Sequence, residues 1–162
     1  IYTGAKFTRL YFKDCYIDGT TDFIFGPSTA LFEDCIIHSK RNSYVTAAST
    51  PKEAKYGYVF KHCKLTAEPG VDKVYLGRPW RPYAYTLFIE CELGKHIVLA
   101  GWHNWGKQSN EETARYMEYK NTGEGANASE RVAWSKQLTK KEAEAVTVDA
   151  IFRTQSDWNP ID

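Results

Sequence analysis

Two short stretches hold the residues whose types point to chemistry. In Gly19-Thr-Thr-Asp22-Phe-Ile-Phe-Gly26, one carboxylate lies between threonines and an apolar run. Such a carboxylate must be hydrogen-bonded, paired or used in a reaction, because burying it alone is costly. In Leu76-Gly-Arg78-Pro-Trp80, Gly77 and Pro79 restrict the backbone around a guanidinium, and Trp80 adds a flat ring beside it. If the fold sets the two stretches on neighbouring turns, Arg78 can pair with Asp22 and hold it ionised, the form that attacks a carbonyl. The same pair would serve equally as a structural ion pair, and spacing leaves both roles open.

The elements that must position these residues are legible in a repeat. Phe12-Lys-Asp-Cys15-Tyr-Ile17, Phe32-Glu-Asp-Cys35-Ile-Ile37, Phe60-Lys-His-Cys63-Lys-Leu65 and Phe88-Ile-Glu-Cys91-Glu-Leu93 share one pattern. The cysteines are separated by 20, 28 and 28 residues. Recurrence at this interval marks stacked units, each too thin to bury its own apolar face. On a strand, Cys and the Ile or Leu two residues on share a side. The polar residue before each Cys (Asp14, Asp34, His62, Glu90) marks a bend. Strand, bend, strand at this period predicts a parallel β-helix, with Phe and Cys ladders inside. The cysteines are expected to be buried free thiols acting as small apolar groups, although the ladder spacing is compatible with a disulfide. No Cys-x-x-Cys and no His cluster points to zinc.

The remaining features bound the answer. At 162 residues the chain is one domain or part of one, and its net charge of +1 provides no field for nucleic acid or an anionic membrane. No apolar run reaches transmembrane length, no signal peptide is visible, and a mean hydropathy of −0.52 fits a soluble protein. The start at Ile1-Tyr2-Thr3-Gly4, close to the first repeat, reads as a chain cut inside a domain at its N-terminal side.

Residues 1–100 are expected to form the coils, with strands at Tyr44–Ser49 and Val74–Leu76 and a further coil starting at Ile97-Val-Leu99. Residues 101–162 are expected to hold loops, the last strands and short helices packed on the solenoid's side. Segment 101–130 reads as largely loop, with a strand over Ala114–Tyr119. Thr139-Lys-Lys-Glu142 is a capping box that starts a helix of about two turns, and a second helix starts near Thr147 or Val148. Asn127-Ala-Ser129 matches a glycosylation sequon, a pattern frequent by chance. The histidines read as structural, and only His103, between two Trp, is placed to touch a ligand.

Asp22-Phe-Ile-Phe-Gly26 and Leu76-Gly-Arg-Pro-Trp80 resemble the two signature motifs of pectin methylesterases. Gly101-Trp-His-Asn-Trp105, Glu118-Tyr-Lys-Asn-Thr-Gly-Glu-Gly-Ala126 and Arg131-Val-Ala-Trp134 are similar to that family's carboxy-terminal part. The resemblance spans the chain, as the C-terminal portion of one catalytic domain over residues 1–162, and implies a right-handed parallel β-helix. It implies Asp22 as nucleophile, Arg78 as the group that holds and polarises it, and a groove lined by Phe25 and Trp80. Tyr2 and, by analogy, Trp102 would join that groove.

The implied reaction removes methyl groups from C6 esters of galacturonate in pectin without metal or organic cofactor, in a secreted, extracellular or periplasmic setting. The family's Gln-Asp-Thr-Leu motif, with its general acid and oxyanion donors, would lie just upstream of Ile1. Thr21 stands where the family usually has Val. Alone, the chain is therefore expected to have little esterase activity, with the upstream half of the domain as a partner. A non-catalytic pectin-binding role, or a β-helical lyase or hydrolase, are the alternatives, and methanol release separates them.

Overall fold

A computed structural model describes residues 1–153 and 158–161. The chain winds as β1 (Arg9–Lys13), β2 (Tyr16–Gly19), β3 (Ile24–Gly26), β4 (Thr29–Glu33), β5 (Ile36–Ser39) and β6 (Tyr44–Ala48). It continues as β7 (Tyr58–Lys61), β8 (Lys64–Ala67), β9 (Tyr75–Gly77), β10 (Tyr85–Ile89) and β11 (Glu92–Leu93). After α1 (Ser109–Thr113) come β12 (Arg115–Tyr119), β13 (Lys136–Gln137), α2 (Lys140–Glu144) and α3 (Val148–Phe152). Strands from successive coils stack into three sheets, β1-β4-β7-β10-β12-β13, β2-β5-β8-β11 and β3-β6-β9, with every third strand joining the same sheet up to β11. All the pairings are parallel, so the solenoid inferred from the repeats is the observed parallel β-helix. No helix among the described residues is long and apolar enough to cross a membrane.

The register explains the repeat. Phe12, Phe32, Phe60 and Phe88 are successive partners across the large sheet. Their rings stack at 4.8, 4.5 and 4.4 Å, nearly parallel. The polar residue before each Cys takes the left-handed conformation, at φ 53° for Asp14, 54° for Asp34, 53° for His62 and 51° for Glu90. That backbone turns the chain from one sheet to the next, and a short polar side chain such as Asp tolerates it best. Cys35, Cys63 and Cys91 are buried, Cys15 is half-buried on the outermost coil, and all four are free thiols. Each inner thiol donates to the Phe carbonyl of the preceding coil: Cys35 to Phe12, Cys63 to Phe32 and Cys91 to Phe60.

A fifth, polar copy of the repeat emerges from this register. Glu118 pairs with Phe88 across β10 and β12, and Lys120 takes φ 47° at the bend position. Asn121 replaces Cys and accepts a hydrogen bond from the Cys91 backbone N–H at 2.9 Å. Without Phe or Cys, this turn escapes a pattern built on those residues.

Leu31, Val59, Leu87 and Ile89 alternate with the Phe ladder and face outward from the same sheet. They form a second core with Ala143, Val146, Ile151 and Phe152. The capping box is present, with the Thr139 hydroxyl accepting from the Glu142 N–H and the Glu142 carboxylate from the Thr139 N–H. Thr147 caps α3 through the Ala150 N–H. These two short helices exist because their apolar faces cover the sheet; burying a side chain such as Phe152 contributes roughly 1.5–3 kcal/mol.

One expectation gains an element and another needs correction. Segment 101–130 holds α1, a polar five-residue helix without apolar periodicity, anchored by the buried Asn110 amide donating to the Asn104 carbonyl. Ile97-Val98-Leu99 starts no further coil. Ile97 bridges Val74 and closes the fourth turn, which returns through Gly77 paired to Trp102.

His96 provides a test of this packing. Its ring is buried, Nε2 has no partner, and burial, then His38, lowers its pKa to about 4. The folded state therefore favours neutral imidazole. Its contribution is fully present above the unfolded pKa near 6.5 and is lost as pH falls toward 4, by about 3 kcal/mol at most. Thermal melts from pH 7.5 to 4 should show this loss, and His96→Gln should flatten that part of the curve. An unchanged slope in the variant would assign the acid lability elsewhere.

Candidate active site

The site sits on the face of the β3-β6-β9 sheet, where three neighbouring coils bring distant residues together. Asp22 lies two residues before β3 and Arg78 immediately follows β9, with β6 between them. The Asp22 backbone N–H donates to the Tyr44 carbonyl, and the Arg78 N–H to the Thr46 carbonyl, so both main chains are pinned to β6. Arg78 then grips Asp22 with two parallel hydrogen bonds, Nε to Oδ1 at 3.0 Å and Nη2 to Oδ2 at 2.7 Å. The two side chains remain 20% and 18% exposed, so the pair is shielded but open to a ligand. A bidentate clamp of this kind fixes the carboxylate plane as well as its charge.

The guanidinium is itself held between two aromatic faces. Its Cζ lies 3.9 Å from the Tyr44 ring centroid and 3.8 Å from that of Trp105. Asp22 at φ 49° and Trp105 at φ 63° both adopt left-handed backbone. For a bulky Trp that conformation stores strain of order 1–3 kcal/mol, which the surroundings must hold. Part of that hold is His103, whose Nδ1 accepts the Trp105 N–H at 3.0 Å. This bond requires an unprotonated Nδ1, and burial together with the Arg78 charge lowers the His103 pKa.

Beside the clamp opens a pocket of about 230 Å³ lined by Thr21, Asp22, Phe25, Ala47, Trp80 and Trp105. Ala47 is small, which leaves room above the sheet. Phe25 and Trp80 meet edge to face at 6.0 Å, and Tyr2 packs on Phe25 at 5.2 Å. A ligand here meets one carboxylate, one fixed cation and aromatic walls. Among the described residues, no group of His, Cys, Asp and Glu is gathered to hold a metal ion.

Five of the six residues singled out from the sequence thus converge: Asp22, Arg78, Phe25, Trp80 and Tyr2. Trp102 does not. It is 1% exposed and stacks on Tyr116 at 4.3 Å inside the solenoid, because its pairing with Gly77 turns the ring inward. Trp105, three residues on, takes the place at the site expected of Trp102. Tyr44 was likewise not singled out; its only sequence signal was its position at the start of a strand. His103 supports Trp105 from behind. Asn127 of the sequon is exposed and caps a 3₁₀ turn by accepting from the Ser129 N–H.

With this geometry in place, the family model for pectinesterase matches residues 1–155. The chain belongs to the pectinesterase family. It is 45% identical over 136 residues to Pectinesterase 31 of Arabidopsis thaliana, covering 83% of this chain and 43% of that protein. Among solved structures, the pectin methylesterase from carrot superposes with a TM-score of 0.85 at 33% identity, over 93% of this chain and 53% of that one. A pectin methylesterase in complex with a hexasaccharide matches with a TM-score of 0.78 at 30% identity, over 94% and 52% of the two chains. The pectinesterase fold, a right-handed parallel β-helix, is therefore that of this chain, which spans about half the length of these relatives.

Proposed function

We propose that this chain carries the nucleophile-bearing part of a pectin methylesterase site, acting on C6 methyl esters of galacturonate in pectin. The observation that carries this reading is the Asp22 carboxylate, clamped in two places by a guanidinium that is itself fixed between two rings. In the proposed reaction an Asp22 oxygen attacks the ester carbonyl carbon and forms a tetrahedral oxyanion. Collapse expels methoxide, which takes a proton from a general acid and departs as methanol, and an anhydride remains between Asp22 and the substrate. Water, deprotonated by the same acid in its conjugate form, cleaves the anhydride to release the galacturonate carboxylate and restore Asp22. Arg78 keeps Asp22 ionised and aligned, and Tyr44 and Trp105 shield the pair from water, which strengthens the clamp.

The resemblance assigns the general acid and the oxyanion donors to residues upstream of Ile1. An oxyanion donor is worth about 2.7–4 kcal/mol in other enzymes, so a form without one is expected to be slow. A pectin substrate would put the site of action outside the cytoplasm, in a secreted or periplasmic setting. Methanol release from highly methylated pectin tests the proposal, comparing this chain with a form extended upstream through Gln-Asp-Thr. Release by the extended form, with little from the chain alone, is the expected result. Release by neither would overturn the reading and leave a carbohydrate-binding module.

A further inference from the structure

Trp105 reaches Arg78 from one tight turn, Asn104–Lys107, closed by the Lys107 N–H donating to the Asn104 carbonyl at 3.2 Å. Its two central residues are both left-handed, Trp105 at φ 63° and Gly106 at φ 67°. That is the pattern of a type I′ turn, which favours Asn, Asp or Gly at the central places. Gly106 fits without strain, while Trp105 must be held there. Each of the two N–H groups is taken by the side chain two residues before it. The Trp105 N–H donates to His103 Nδ1 at 3.0 Å, and the Gly106 N–H to Asn104 Oδ1 at 2.8 Å. An imidazole thus does for the strained residue what an amide does for the glycine.

His103 is tied to the clamp a second time. Its backbone N–H donates at 3.1 Å to the carbonyl of Gly77, the neighbour of Arg78. Its half-buried ring lies 5.5 Å from the Tyr44 ring and 5.4 Å from that of Tyr75. It also lines a cavity of about 310 Å³ shared with Glu111 of α1, whose carboxylate accepts from the Asn104 amide at 2.8 Å. The titratable and charged groups around the ring are therefore Tyr44 of β6, Tyr75 of β9, Arg78 after β9 and Glu111 of α1.

We propose that His103 is a proton-sensitive positioning residue of the Asp22 site: neutral, it locks Trp105 onto Arg78, and protonated, it lets that ring go. The proposal goes beyond the esterase reading and rests on it only for a kinetic readout. Neutral imidazole can accept at Nδ1, whereas the protonated ring carries donors at both nitrogens and meets the Trp105 N–H donor to donor. Protonation also sets a second cation beside Arg78. Burial, and then the Arg78 charge, lowers the His103 pKa, so the hold is present near neutral pH and is lost as pH falls through that lowered value. Arg78 then keeps only its Tyr44 face, and the carboxylate it orients is less firmly fixed.

Two variants separate the roles. His103→Asn sets an amide oxygen in place of Nδ1, as Asn104 does one residue on, and accepts at every pH. His103→Ala accepts at none. In this chain, isotopic labelling of the Trp backbone nitrogens makes the Trp105 amide visible by NMR, assigned by its loss in Trp105→Phe. Its resonance is expected to shift between about pH 7.5 and 4.5 in the parent, across and below the ordinary histidine range, and to stay in place in His103→Asn. Kinetics use the form extended upstream. There His103→Ala is expected to lose about tenfold or more in kcat at neutral pH, since misplacing a reacting group by about 1 Å can cost about a hundredfold. His103→Asn should recover most of that rate, with the acid fall in kcat moved to lower pH. An amide that shifts alike in the parent and in His103→Asn, parent kinetics in His103→Ala, or an acid limb unmoved in His103→Asn would overturn the proposal. If the amide behaves as expected while no form releases methanol, the positioning role stands and the pectin reading alone fails.

Discussion

Asp22→Asn is expected to lower methanol release by about 10⁴-fold or more in the form extended upstream, the magnitude seen when a covalent nucleophile is removed. Asn keeps the shape of Asp and one oxygen that can accept from Arg78. It loses the negative charge and the nucleophilic oxygen pair, and its amide NH₂ faces a guanidinium nitrogen that also only donates. The substitution therefore breaks one half of a clamp whose two bonds are 3.0 and 2.7 Å, and it leaves the Arg78 charge partly unanswered. Tyr44 and Trp105 hold the guanidinium in place regardless, so the site should remain assembled while its chemistry stops. Steady-state kinetics on methylated pectin decide the matter. A variant that keeps even a hundredth of the parent kcat would show that Asp22 is part of a structural pair and that attack comes from elsewhere.

Arg131→Met should destabilise the fold by about 3–5 kcal/mol, the cost of leaving one partner of a buried ion pair alone. For a chain of this size that corresponds to a fall of about 10 °C in Tm. Glu118 and Arg131 have side chains only 4% and 3% exposed, joined through Nε to Oε2 at 2.8 Å and Nη2 to Oε1 at 3.2 Å. Arg131 also donates to the Gly125 carbonyl at 2.6 Å and the Leu99 carbonyl at 3.0 Å, tying two loops to β12. Without it, Glu118 is a carboxylate at the Phe position of the ladder, stacked against Phe88 in register. That position also suggests the rescue. Glu118→Phe combined with Arg131→Met replaces the ion pair with the residue the other coils use, and should recover most of the lost stability. Chemical denaturation of the single and double variants checks both. A single variant within 1 kcal/mol of the parent would mean that water reaches Glu118.

The same residue shows where sequence reasoning stopped. Phe12, Phe32, Phe60 and Phe88 were legible because identical side chains must recur when identical coils stack. Glu118 fills the fifth place with a charge, and its neutralising partner lies 13 residues on, beyond any local periodicity. Trp102 and Trp105 differ by three residues in one loop, yet one is core and the other faces the site. Gly101 at φ 71° and the pairing of Trp102 with Gly77 decide which, and both depend on the neighbouring coil.

By itself, then, the sequence determined what local chemistry enforces. It set the ladder period, the bends at Asp14, Asp34, His62 and Glu90, the Thr139 cap, and the two motifs that carry an acidic and a basic side chain. Only the tertiary structure decided what stacking brings together. Asp22 and Arg78 are 56 residues apart in the chain, and Tyr44 and Trp105 come from two further segments. Their meeting follows from coil length and strand register, which accumulate over whole turns and cannot be read from any one of them.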